Sequence, residues 1–62
     1  MEYKFKIIYF TPTVHGGINR EEYIEIKKKA LVKGVYMAAM EKAVDMLGED
    51  ENIDSIELMG IR

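Results

Sequence analysis

EEYIEIKKKA, residues 21–30, admits two readings, and the fold depends on which one holds. As a helix the segment has a good start. Asn19 can serve as N-cap, Glu22 follows three residues later as in a capping box, and Ile18 can staple onto Tyr23. As a strand it sets Ile24 and Ile26 on one side, with Tyr23, Glu25 and Lys27 on the other. The phase of the next segment decides. Val32, Val35, Tyr36, Ala39, Ala43, Met46 and Leu47 share an arc of about 120° at helical spacing. Continued backwards, that helix throws Tyr23, Ile26 and Ala30 to the opposite side, so it would have to turn its buried face midway. Lys27, Lys28 and Lys29 would also oppose the dipole at a helix start. The strand reading carries neither conflict, and we adopt it.

Working outward, Tyr3 to Phe10 is a strand rich in aromatic and β-branched residues. Tyr3, Phe5, Ile7 and Tyr9 point one way, and Lys4, Lys6, Ile8 and Phe10 the other. Pro12 and Gly16-Gly17 mark a turn region. With Gly16-Gly17 as a two-residue hairpin turn, Ile7 faces Ile26 and Tyr9 faces Ile24. On the second face the same register sets Phe10 against Tyr23, Ile8 against Glu25, and Lys6 against Lys27. The helix is predicted over residues 31–47, with Gly48 as its stop. A short acidic loop leads to a last strand from Ile53 to Ile61, with Ile56 and Leu58 on one side and Glu57, Met59 and Ile61 on the other. The expected fold is α+β: a ββαβ chain whose three-stranded antiparallel sheet has the order 2-1-3, with one helix on one face.

Composition bounds the rest. A chain of 62 residues is a single domain, and one this small buries only roughly 60% of its unfolded surface. Such chains gain stability from disulfides, a metal or a partner subunit. With no cysteine and His15 as the only histidine, no disulfide and no Cys- or His-rich metal site is expected. Self-association is then the favoured source of extra stability. No apolar run is long enough to span a bilayer. MEYKFKIIYF does not read as a signal peptide, because charges interrupt its apolar stretch. A cytoplasmic location is expected. Charge is uneven: residues 1–33 hold seven basic and four acidic groups, and residues 34–62 hold two and seven.

The chemistry-bearing residues do not assemble a catalytic motif. His15 stands in a Gly-rich turn, where a solvated histidine is the ordinary reading. Thr11, Thr13 and Ser55 have no histidine at nucleophile spacing. Glu41 and Asp45 read as a solvated helix face, HGG lacks the phosphate-loop pattern, and Glu49, Asp50, Glu51 and Asp54 lack the spacing of an EF-hand. No enzyme, metal or cofactor is expected. Nucleic-acid binding has one supporting feature: Lys4, Lys6, Lys27 and Lys29 share a sheet face with Phe10 and Tyr23, as in some single-strand binders. Against it, the chain is acidic overall, with a net charge of −2.

Protein contact accounts for more. One helix covers one face of a three-stranded sheet, which leaves Ile8, Phe10, Tyr23, Met59 and Ile61 on the other as an expected apolar patch. Met37, Met40 and Val44 widen the helix's apolar arc beyond what the sheet needs, and five methionines suit an adaptable surface. These eight residues are the expected interface, with a homodimer as its commonest form.

The succession KFKIIYFTPT, a turn, EEYIEI, a short helix and IDSIELMGIR resembles small stand-alone ββαβ proteins encoded by bacteriophages and prophages. The resemblance implies a non-enzymatic dimer that binds and inhibits a host protein, such as an antiviral defence factor. It carries no site residue across.

Overall fold

Side chains that alternate along the first strand organise the molecule. The computed structural model describes residues 1–27 and 34–62. It contains β1 (Glu2–Thr13), β2 (Gly16–Lys27), α1 (Val35–Asp45) and β3 (Asn52–Ile61). The strands form one antiparallel sheet in the order β2-β1-β3, and the helix packs on one face of it. This is the α+β arrangement and strand order read from the sequence. Residues 21–27 are strand, while Lys28, Lys29 and Ala30 lie outside the described residues, as do Leu31 and Val32. No helix among the described residues is long and apolar enough to cross a membrane.

Tyr3, Phe5, Ile7 and Tyr9 are all 0–1% exposed. They lie between the helix and the two flanking strands, where Ile24 and Ile26 of β2 and Ala39 and Ala43 of α1 complete the core. Full burial of a large apolar side chain is worth about 1.5–3 kcal/mol, so the central strand supplies much of what holds so small a domain together. The two alanines let the helix axis come close to the sheet. Ile53, Ile56 and Leu58 of β3 are only partly buried against this core.

The hairpin register differs from the expected one. Val14 and His15, not Gly16-Gly17, form the turn, and Thr13 pairs with Gly16. Tyr3 therefore faces Ile26, Phe5 faces Ile24, and Ile7 faces Glu22. Every partner has moved by four positions. The shift is even, so each side chain keeps its face. The expected register would have set the buried Phe5 against Lys28; the observed one matches it with Ile24. It also needs only one left-handed residue, Gly16, at φ 126°, where a two-residue turn of type I′ needs two.

The helix is shorter than predicted. Gly34, at φ 89°, is its N-cap rather than an interior residue, and the helix ends at Asp45 with Met46 as C-cap. Gly48 is not the left-handed stop. Asp50 takes the positive φ, 66°, within a turn in which Glu51 N–H donates to the Gly48 carbonyl at 3.2 Å. In β3, two bulges leave Asp54 and Met59 without partners on β1. Ile53, Ile56, Leu58 and Ile61 thus pair with Tyr9, Ile7, Phe5 and Tyr3. Ile61 is in register with the helix-side face, not with the outer face assigned to it above.

Candidate interaction surface

The expected interface residues separate into two groups. On the helix, Met37, Met40 and Val44 are 69%, 45% and 53% exposed, and Tyr36 and Leu47 join them. At 100° per residue Tyr36, Met37, Met40 and Val44 fall on one flank of α1, and Leu47 follows just past its end. On the opposite flank, Lys42 Nζ reaches the Glu25 carbonyl of β2 at 3.3 Å. The apolar flank therefore lies on the β3 side, beside the partly buried Ile53, Ile56 and Leu58. Tyr36 is anchored there, with its ring edge-on to Phe5 at 5.1 Å.

On the outer sheet face the structure does not bring the expected residues into one patch. Phe10 pairs with Asn19 and Tyr23 with Lys6, which sets the two rings about four residues apart along the hairpin, on the order of 14 Å. Ile8, half-buried, lies between Glu21 and Ser55. Charges are interleaved and paired: Lys6 meets Glu21 at 3.4 Å and Lys27 meets Glu2 at 3.8 Å. The Lys4 ammonium stands 5.5 Å from the Tyr23 ring centroid. Lys29, the fourth lysine of the nucleic-acid reading, lies outside the described residues. Met59 and Ile61 border a small cleft with Glu2, Lys4, Glu25 and Arg62. Its volume, about 140 Å³, is below the roughly 300 Å³ at which small-molecule sites begin.

Two features escaped the sequence reading. The first is a projecting arm. Pairing between β1 and β3 stops at Phe10–Asn52, so residues 11–18 run on as a two-stranded ribbon and the molecule measures 44 × 17 × 14 Å. From Phe10 to Asn19 there is no charged residue, although Val14 is 95% and Ile18 62% exposed. The edge of the Phe10 ring packs on Gly17, where a Cβ would come within 2.1 Å of Cε1. Only glycine admits this contact. His15 is exposed at the tip, and its N–H donates to Thr13 Oγ1 at 3.3 Å.

The second is a clamp where helix cover ends. Arg20 donates from Nε and NH2 to the two Glu51 oxygens at 2.9 and 2.8 Å. It also donates to Glu22 at 2.8 Å and to the Met46 carbonyl at 3.0 Å. Its guanidinium stacks 4.2 Å from the Tyr9 ring centroid. Glu51 accepts the Gly48 N–H as well, at 2.7 Å. The Arg20 hydrogen bonds, then that backbone bond, hold the Glu51 carboxyl down at about 2. Burial raises the Tyr9 hydroxyl, which donates to the Ala43 carbonyl at 2.6 Å. The clamp joins β2, the end of α1 and the acidic loop. In the sequence its only trace is an arginine following thirteen uncharged residues.

The comparisons with known proteins give no further guide: no family model, no curated protein and no solved structure matches this chain.

Proposed function

We propose that the chain is a non-enzymatic protein-binding module that works as a homodimer and acts by occupying a surface of another protein. The observation that carries this reading is the apolar flank of α1 together with Leu47, which follows the helix. Tyr36, Met37, Met40, Val44 and Leu47 are all 40% or more exposed. A continuous apolar strip on so small a domain marks a contact surface. The uncharged arm, with Val14 and Ile18 exposed at 95% and 62%, adds a second element for a partner to grip. Inhibition of a host factor, the role implied by the phage-like pattern, is the sharpest form of the proposal.

Sedimentation at micromolar concentration tests the first half. Wild type should sediment as a dimer, and Met40→Glu with Val44→Glu should weaken association at least tenfold while the circular dichroism stays native. A wild-type monomer refutes self-association. The paired lysines of the outer face argue against counterion-driven nucleic-acid binding. A single-stranded DNA or RNA titration should accordingly show only weak affinity. Nanomolar binding that falls steeply with salt would replace this reading with the nucleic-acid one.

A further inference from the structure

We infer that two copies join through the free edge of β3, strand against strand about Glu57, into one six-stranded antiparallel sheet. This rests on the proposed self-association and names the surface that performs it.

Among the described residues, the backbone hydrogen bonds indicate which groups of β3 face outward. Glu2 and Arg62 exchange both of theirs, at 2.6 and 2.7 Å. Antiparallel pairs alternate between bonded and non-bonded, so Lys4–Gly60, Lys6–Glu57 and Ile8–Ser55 are the bonded pairs between β1 and β3. The partners of Tyr3, Phe5, Ile7 and Tyr9 are the reverse: Ile61, Leu58, Ile56 and Ile53 turn their N–H and C=O groups away from β1. These four positions are symmetric about residue 57. In an antiparallel pairing centred on Glu57, Ile53 meets Ile61 of the second copy and Ile56 meets Leu58. Every outward backbone group finds a partner, and helix-side residues meet helix-side residues. Centring on Leu58 sets Ile56 and Ile61 against Gly60 and Ser55, which are already bonded to β1, and centring on Ile56 sets Leu58 and Ile53 against the bulge residues Asp54 and Met59. Bulges usually guard an edge, but here the two of them produce the symmetry.

The other edge already carries a side-chain hydrogen bond. The same alternation turns the Glu25 carbonyl outward from β2, and Lys42 Nζ already occupies it. The apolar flank of α1 also lies on the β3 side, so both copies bring it to the junction. Strand spacing puts the two helix axes about 14 Å apart, a gap that facing Met40 and Tyr36 side chains can fill and alanines could not. An edge of ten residues is about 33 Å long. With a depth of 14–17 Å, it buries on the order of 1,000 Å² in all, the lower bound for a specific interface.

The pairing has one unfavourable contact, which makes it testable. Glu57 meets its own copy across the two-fold axis on the outer face. Removing that repulsion by Glu57→Gln should tighten the dimer roughly two- to fivefold. The chain has no cysteine, so a single introduced thiol can react only with its twin. In Glu57→Cys the two Cα atoms would lie about 4.5 Å apart, within disulfide range. In Ser55→Cys they would be about 14 Å apart, out of reach. Mild oxidation should convert the Glu57→Cys protein to a reducible dimer and leave Ser55→Cys and Tyr23→Cys monomeric on a denaturing gel. If wild type sediments as a dimer but cysteine at 57 fails to cross-link, or cysteine at 55 or 23 links as fast, the edge pairing is wrong and self-association stands. A wild-type monomer removes both.

Discussion

Phe5→Ala is expected to leave little folded protein at room temperature. Phe5 is fully buried on the central strand, between Ile24 and Leu58, with Tyr36 edge-on to it. Truncating a buried phenylalanine costs about 3–5 kcal/mol through lost transfer energy and the cavity left behind. A chain of this length has a total stability of roughly 3–9 kcal/mol, so the loss is comparable with the whole. Tyr36→Leu removes the ring contact and leaves the cavity filled, and should cost about 1 kcal/mol. Urea unfolding followed by circular dichroism checks both. Protein concentration must be held fixed, because dimerisation adds to apparent stability. A Phe5→Ala midpoint close to wild type would mean that the central strand does not carry the core.

Acid should weaken the fold through the Arg20–Glu51 clamp, and removing Arg20 should flatten that response. Glu51 is held at about 2 in the fold against an ordinary value of 4.5. A carboxyl depressed by folding stabilises above its unfolded value and loses that contribution as pH falls through its folded one. The clamp's contribution is therefore complete above roughly pH 4.5 and fades towards pH 2. In Arg20→Met the protein starts less stable at neutral pH, and its stability changes less across that window. In a double-mutant cycle, Arg20→Met with Glu51→Gln should cost less than the two single changes added together, as expected for residues sharing one interaction. Parallel pH profiles for wild type and Arg20→Met would remove the clamp from the account of acid stability. Since Arg20 also stacks on Tyr9 and sits at the root of the arm, loss of the clamp should loosen residues 11–18 as well, seen as faster amide exchange there.

Much of this architecture is visible in single residues. Residues 21–27 are strand, as their phase requires, because burying Ile24 and Ile26 on the face of Phe5 needs period two. The faces of the hairpin hold although its register does not, since side-chain direction repeats every two residues and the slip is four. The register itself depends on which residues fill the core at Phe5, and glycine spacing alone gives no access to that. The helix flank of Met37, Met40 and Val44 was legible from its arc. The outer-face patch was not, because it assumed a register that put Phe10 beside Tyr23.

The sequence by itself therefore determined the element types, their order, the strand order and the buried alternation of Tyr3, Phe5, Ile7 and Tyr9. The element types and the alternation follow from local periodicity, which every short window of chain carries. The strand order follows from placing the most apolar strand at the centre, with the helix carrying the chain back across the sheet. Tertiary structure alone decided the hairpin slip, the two bulges of β3, the Arg20–Glu51 clamp and the symmetric set of outward groups about Glu57. Each of these joins residues far apart in the chain, and each is selected by what fits together in space.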